Sequence, residues 1–252
     1  MTPDDLRHRV LQSVAASQRL LGHHGPRGRV EEGEGWVAAV LPSLAEATLV
    51  NGVVVLDPTA LPDALALMSA IYANAGIRRW GVLLDPAPHL RRELTTAGLV
   101  RDALPFAMAA PLAALHLDGT TDGPPITHPD YATVGRVNDQ AYGHPDDRME
   151  DLIAGFPPGV AHTYGVAYTD EIAAVAMVSD HDGDATVGFV ATLPWAQHQG
   201  LASRVLNRAL VDARDRGLRT TTLIASHAGR SLYTALGYQD VGTLELWEHR
   251  SP

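Results

Sequence analysis

The sequence predicts an α/β protein made of two consecutive copies of one β-α-β-α-β plan, and three observations predict it. The buried strand Val53-Val54-Val55-Leu56-Asp57-Pro58 parallels Phe189-Val190-Ala191-Thr192-Leu193-Pro194. The short helical run Arg91–Gly98 (RRELTTAG) parallels Arg230–Gly237 (RSLYTALG), and Pro58 to Gly98 spans 40 residues where Pro194 to Gly237 spans 43. Between the copies, residues 111–129 are rich in Gly, Pro, Thr and Asp with no periodicity past Leu117, which is boundary composition. The expected domains are residues 1–117 and 118–252.

The first half opens with a helix. Thr2 can cap it, Pro3 suits the first turn, Asp4 and Asp5 favour its positive end, and Gly22 is the expected stop. Leu6, Val10, Val14 and Leu21 fall near one face. Strands are expected at Trp36–Leu41 and Gly52–Leu56. A helix follows with Leu61, Leu65, Met68 and Tyr72 on one stripe and Gly76 at its end. A strand at Trp80–Leu84, a helix at His89–Ala97 and a strand around Leu104–Ala110 complete the copy.

In the second half, helices near Tyr131–Tyr142 and Asp146–Phe156 precede strands at Ala161–Tyr168, Ile172–Ser179 and Ala185–Leu193. Asp182-Gly183-Asp184 is a hairpin signal between the last two. A helix from Gly200 to Arg216 repeats Leu201, Val205, Ala209 and Ala213 on one face, and Gly217 closes it. A strand at Thr220–Ala225, a helix at Arg230–Leu236 and a strand at Tyr238–Trp247 finish the chain.

Composition narrows the chemistry. The 252 residues suffice for two ordinary domains, and no apolar run approaches the roughly 20 residues that span a bilayer. The first 22 residues lack the apolar stretch of a signal peptide, so a cytoplasmic protein is expected. There is no cysteine, which excludes disulfides, thiolate metal sites and a cysteine nucleophile. All 19 basic residues are arginine, which excludes Schiff-base lysine chemistry. The twelve histidines are scattered, and no metal site is expected among them. The net charge of −10 argues against nucleic acid and anionic membrane as partners and tilts towards a cationic small molecule.

The informative stretch is residues 190–203, VATLPWAQHQGLAS, in which a strand ends at Leu193 and a helix begins near Gly200. Helix N-termini present unpaired N–H groups and partial positive charge, so they hold phosphates without a cationic side chain. Gly200 lets the backbone approach an anion, and Ala202 keeps the next turn small. Gln197-x-x-Gly200-Leu201-Ala202 before an amphipathic helix resembles the pyrophosphate loop of the GNAT acyltransferase superfamily. Residues 225–238, ASHAGRSLYTALGY, resemble that family's second signature, a strand and a short helix carrying Tyr before Gly-aromatic. The resemblance covers residues from about 129 to 248.

The resemblance implies tandem GNAT-like domains, each a mixed, mostly antiparallel twisted sheet flanked by helices. It implies acetyl-CoA as acyl donor, its pantetheine arm held by the backbone of Val190, Ala191 and Thr192. Its pyrophosphate would be held by Gln197, His198, Gln199, Gly200, Leu201, Ala202 and Ser203. Ser226 stands where the family often has a cofactor-contacting Asn. Tyr233 matches the tyrosine that protonates the departing thiolate. Residues 186–192 hold no carboxylate, so the candidate bases are Asp180 and His181, together with Asp139, Tyr142 and His144, or a water chain; the segment holding Asn138, Asp139, Tyr142 and His144 would lie over the acceptor. In the first copy Ala64 stands at the Gly200 position, behind Pro62, and Leu94 at the Tyr233 position. That copy is therefore expected to be degenerate, walling the acceptor pocket or completing a sheet. The implied reaction is acetyl transfer to a primary amine by direct attack in a ternary complex, with no covalent nucleophile. The alternative is a non-catalytic acyl-CoA-binding sensor or pseudoenzyme. Acceptor identity and oligomeric state, monomer or homodimer, stay open.

Overall fold

The computed structural model describes residues 2–117, 123–143 and 148–250. Helix α1 (Pro3–His24) begins with a capping box, in which Thr2 Oγ1 accepts from the Asp5 N–H and Asp5 Oδ2 accepts from the Thr2 N–H. It runs past the expected stop at Gly22 to His24, with Gly25 as its C-cap, and Gly22 is packed so closely against Arg29 and Val30 that a Cβ would not fit. Strands β1 (Arg29–Gly33), β2 (Trp36–Val40) and β3 (Gly52–Val55) follow, then helix α2 (Leu61–Asn74), strand β4 (Arg79–Leu84) and helix α3 (Arg91–Thr96). Next come β5 (Leu99–Ala103) and β6 (Phe106–Pro111). The second half comprises β7 (Ile126–Thr127), α4 (Tyr131–Tyr142), α5 (Met149–Ile153), β8 (His162–Tyr168), β9 (Glu171–His181) and β10 (Asp184–Thr192). It continues with α6 (Leu201–Asp215), β11 (Thr220–Ala225), α7 (Arg230–Ala235), β12 (Gln239–Thr243) and β13 (Glu245–Arg250). No helix of the described residues is long and apolar enough to cross a membrane.

The strands form two mixed sheets, of order β1-β2-β3-β4-β13-β5 and β12-β6-β11-β10-β9-β8-β7. Each contains one parallel pair, β3 with β4 and β10 with β11, among antiparallel neighbours. The α/β plan of two mostly antiparallel mixed sheets flanked by helices is thus present, with one feature the periodicity does not reveal. The expected strand around Leu104–Ala110 is β6, and β5, Leu99–Ala103 just before it, was not expected. β5 stays in the first sheet, the chain crosses at Leu104 and Pro105, and β6 enters the second sheet between β11 and β12. The expected strand at Tyr238–Trp247 is two strands. β12 lies in the second sheet, and β13 enters the first between β4 and β5. The crossovers touch, with the Leu244 N–H donating to the Pro105 carbonyl at 2.9 Å. Each half of the sequence therefore gives its last strand to the other half's sheet. The expected 117/118 boundary lies at the edge of the described residues, with residue 118 outside them.

Helix α1 lies between the two sheets. Its Leu6, Val10, Leu11 and Ala15 pack on Val37, Val54 and Leu83 of the first sheet and on Ala107, Ala109 and Leu244 from the second sheet's side. Burial of each such Leu or Val contributes about 1.5–3 kcal/mol, so α1 joins the halves through their core. Helix α6 covers the opposite face of the second sheet through Leu201, Val205, Leu206, Ala209, Leu210 and Ala213. Helices α4 and α5 meet at Gly135, where a Cβ would lie 2.4 Å from Glu150 Cα.

Candidate active site

Strand β10 pairs with β11 only over Asp184–Thr186, opposite Thr220–Thr222. β10 continues to Thr192 and β11 to Ala225, so beyond Thr186 the two diverge. The Asp182-Gly183 turn fixes the closed end of this split through positive φ at both residues, and Asp184 pairs with His181 across the hairpin. Against β9 the register shifts between Gly188 and Ala191, so three steps along β10 match two along β9. This bulge reverses which face each side chain takes. Ala185 and Val187, before it, pack in the cluster under α6; Ala191 and Leu193, after it, pack with α4 and α5. Phe189 holds the bulge at φ +50°. The result is a stretch of strand backbone, residues 187–192, facing a gap rather than a neighbour on the β11 side.

Beyond the gap, Gly200 precedes α6 with φ +73° and a left-handed conformation that L side chains rarely adopt, and no side chain caps the helix. The first-turn N–H groups of Leu201, Ala202 and Ser203 have no intrahelical acceptor and point out of the helix beside the open end of the split. A Cβ at Gly200 would meet nothing within 4 Å, so the space before these donors is open. Gln197 ties the loop to the strand, its Nε2 donating to the Thr192 carbonyl at 3.4 Å. His198 is exposed and also has positive φ. Gln199 is exposed, while Leu201 anchors the helix start in the core. Arg204, just past the loop, donates to the carbonyls of Gly123 and Pro124. The field at the loop is therefore that of the helix terminus. The arrangement offers free strand amides to an extended chain and uncapped N–H groups to an anion.

Tyr233 lies on α7, 8% exposed, edge-on to Tyr238 with ring centroids 5.7 Å apart. Its hydroxyl has no hydrogen-bond partner among the described residues. Burial, and to a lesser extent the nearby Tyr142 phenol, push its pKa up, so it stays protonated at any physiological pH. Tyr142 comes to the same place from the end of α4. Its hydroxyl donates to the Val190 carbonyl in the bulge at 3.0 Å, and burial of that hydroxyl raises its pKa. The structure thus gathers Tyr233, Tyr142, Val190, Ala191 and Thr192 at the split, with the 197–203 loop at its open end.

Other expected residues have different surroundings. Asp180 accepts two hydrogen bonds from Arg216, both 2.8 Å, and lies 3.5 Å from His162 Nε2. It sits on the α6 side of β9 opposite Ala185, about 10 Å or more along the strand from the bulge. His181 pairs with Asp182 at 3.3 Å at that same far end. Asp139 caps α5, its carboxylate accepting from the Met149 and Glu150 N–H groups at 2.8 and 3.0 Å. Asn138 is half-buried on α4. Ser226 Oγ accepts from the Gly229 N–H at 3.2 Å, which shapes the turn into α7. His144 lies outside the described residues.

Sequence reading missed Asp184, taken as a turn residue. It is 2% exposed on the side of β10 that faces α1. Its Oδ2 accepts from Thr222 Oγ1 at 2.5 Å and from Thr186 Oγ1 at 3.3 Å. Its Oδ1 and the neighbouring Thr220 hydroxyl have no well-formed hydrogen bond. Burial raises its pKa, against the pull of the surrounding threonine hydroxyls and Arg9. The one available signal was the alternation Asp184, Thr186, Gly188, which puts the three on one face.

In the first half the corresponding pair behaves differently. β3 and β4 stay paired from Gly52–Gly81 through Val55–Leu84, and β2 meets β3 with no register shift. Pro62 and Asp63 open α2, removing a donor and adding negative charge where an anion would sit. Leu94 is fully buried. A shallow groove of about 640 Å³ runs there, lined by Leu65, His89, Arg92, Glu93, Thr96 and Ala97, but no strand pair opens behind it.

A family model described as the acetyltransferase (GNAT) family matches residues 131–238. No curated protein matches the chain. Among solved structures, a GCN5-related N-acetyltransferase from Kribbella flavida is similar at TM-score 0.72 and 17% identity, over 96% of each chain. One from Sphaerobacter thermophilus is similar at 0.55 and 15%, over 99% of this chain and 94% of its own. A tandem GNAT protein from the clavulanic acid biosynthesis pathway is similar at 0.59 and 14%, over 95% and 88%. Residues 131–238 match the acetyltransferase (GNAT) family, and the fold of the whole chain is similar to that of GNAT proteins, tandem ones among them.

Proposed function

We propose that the chain transfers the acetyl group of acetyl-CoA to a primary amine, by direct attack in a ternary complex, at a single site in its second half. The observation that carries this reading is the opening of β10 from β11 beside the uncapped N-terminus of α6. An extended pantetheine arm fits along the free edge at Val190–Thr192 as an added strand, and the loop N–H groups from Gln197 to Ser203 suit the pyrophosphate. Tyr142 reaches the same edge, so its bond to Val190 is the contact that an entering arm would meet first. Tyr233, buried and protonated, is suited to give a proton to the leaving thiolate. Residues 1–117 act as a degenerate copy that no longer binds acyl-CoA, and 118–252 hold the site; the zipped β3–β4 pair supports that division.

Calorimetry with acetyl-CoA and CoA tests this on wild type and Gly200→Glu. Micromolar binding that disappears in the variant is the expected result, because the added carboxylate faces the phosphates. A thiol-reactive dye then reports CoA release without background, since the protein has no cysteine. No binding to wild type would refute the reading. Binding without thiol release to any amine would favour the sensor instead.

A further inference from the structure

A cavity of about 50 Å³ lies on the α1 side of the second sheet, directly at the bulge. It is lined by Gly188, Phe189 and Thr186 of β10, Met177 and Ser179 of β9, and Ser17 and Leu20 of α1 among others. This face is opposite α6, so it is the side from which an acceptor reaches a thioester lying in the split. The volume holds a few water molecules at most, and Ser17, Ser179 and Thr186 give it hydroxyl partners. A Cβ at Gly188 would meet nothing within 4 Å, so the way past the bulge is open. Behind Thr186 stands the buried Asp184 carboxylate, whose Oδ2 accepts from Thr186 Oγ1 and whose Oδ1 has no well-formed hydrogen bond. A buried carboxylate oxygen without a well-formed hydrogen bond is unfavourable and calls for an explanation.

We propose that Asp184 is the proton acceptor for acetyl transfer, reached through Thr186 from this water-sized chamber that α1 closes. The inference rests on the acetyl-transfer reading of the same site. The ammonium of the acceptor loses one proton to chamber water, water passes a proton to Thr186 Oγ1, and Thr186 passes its own to Asp184 Oδ2. The freed amine forms the C–N bond, the C–S bond breaks, the thiolate takes a proton from Tyr233, and the second proton of the attacking nitrogen leaves through chamber water to solvent. The proton on Asp184 and the vacancy on Tyr233 are then reset by solvent. The charged groups around Asp184 come from each packed element. They are Arg9 on α1, Asp182 and His181 on the hairpin, and Arg219 against Gly183 at the start of β11. His181 and Asp182 are engaged with one another, and Arg9 and Arg219 are the cations on this side of the carboxylate.

Burial raises the Asp184 pKa in the folded protein. A carboxyl with a raised folded pKa loses stability as pH climbs from its unfolded value through its folded value. Replacing it with a neutral amide therefore keeps or raises the melting temperature at neutral pH while removing the proton acceptor.

The experiment compares wild type, Asp184→Asn, Thr186→Val and Thr186→Ser as full chains. Acetyl-CoA affinity is read by calorimetry, melting temperature by circular dichroism, and CoA thiol release across pH with ethylamine, methoxyamine and water as probe acceptors. Acetyl-CoA affinity equal to wild type in all variants is expected. Ethylamine-dependent kcat/KM should fall on the order of 10²-fold in Asp184→Asn and lose its acidic limb. Thr186→Val should fall in the same direction and Thr186→Ser should recover. Methoxyamine, already neutral at the assay pH, should be less affected. Should Asp184→Asn not fold, the Thr186 pair decides alone. Wild-type rates and pH profiles in Asp184→Asn or Thr186→Val, with binding intact, would overturn the inference and leave the acetyl-transfer reading standing. Failure of wild type to bind acetyl-CoA, or to release thiol, would overturn both.

Discussion

The reciprocal exchange of β6 and β13 makes a sharp prediction about the isolated second half. A fragment of residues 118–252 carries the matched family segment but lacks β6, which sits between β11 and β12. β6 pairs with β11 from Pro111–Thr220 to Phe106–Ala225. Its Ala107, Met108, Ala109 and Ala110 are fully buried. Losing a buried Met alone costs about 2–5 kcal/mol. The hydrogen bonds of a six-residue ladder, at about 0.5–1.5 kcal/mol each, cost several more. Losses of that size match the typical whole stability of a domain, about 5–15 kcal/mol. The fragment also exposes the edges of β11 and β12, which invites strand-to-strand aggregation. It also frees β13, whose partners β4 and β5 are gone. The expected outcome is a fragment with no cooperative thermal transition in circular dichroism and no acetyl-CoA binding in calorimetry. Co-expression with residues 1–117 should restore both, because that piece returns β6, β4, β5 and α1. A soluble, monomeric 118–252 fragment that melts cooperatively and binds acetyl-CoA as the full chain does would refute the reasoning.

Two further substitutions separate chemistry from packing. Tyr233→Phe should leave acetyl-CoA affinity and melting temperature close to wild type, since the hydroxyl has no protein partner, while kcat falls on the order of 10²-fold. Equal kcat in calorimetry-matched samples would remove Tyr233 from the proton path. Gly135→Ala places a Cβ 2.4 Å from Glu150 Cα and 2.5 Å from its N, both backbone atoms that cannot yield. It should cost about 1–3 kcal/mol, read as a drop of roughly 2–4 °C per kcal/mol in the thermal midpoint. An unchanged midpoint would show that α4 and α5 do not meet there.

Much of this molecule was legible in the sequence because local chemistry and tertiary structure agree. The capping box at Thr2, the Asp-Gly hairpin and the apolar stripe of α6 each follow from spacing alone. What escaped are features decided between distant segments. Pro105 marks the crossing from β5, which was not expected, to β6, but only the partner strands say which sheet each joins. β1 was missed because Arg29–Gly33 is a polar, mostly exposed edge strand with no alternation. Asp180 read as a free carboxylate because Arg216, which holds it, is 36 residues away. Asp184 read as a turn residue because its burial depends on α1, contributed by the other half of the chain.

The two sheets hold the same plan yet differ where chemistry would be done, and the difference is small in residues. In the first, β3 runs beside β4 through all four of its positions, and its edges are spent on neighbours. In the second, one extra residue in β10 relative to β9 turns the strand at Phe189, and pairing with β11 ends at Thr186. The extra residue reverses the side-chain alternation, so Ala191 and Leu193 fill the core beside α4 while the backbone at Val190 is left facing the gap. The same reversal sets Gly188 and Thr186 on the α1 side and Val190 against the α6-side cluster. A donor held on the α6 side and an acceptor admitted from the α1 side would meet only at the residue where the alternation changes. Helix α1 then has two consequences from one placement. It supplies core to both sheets, and it closes the chamber at the bulge that Thr186 and Gly188 line. A first half without an open strand pair can still be required for turnover, through a helix that touches no cofactor.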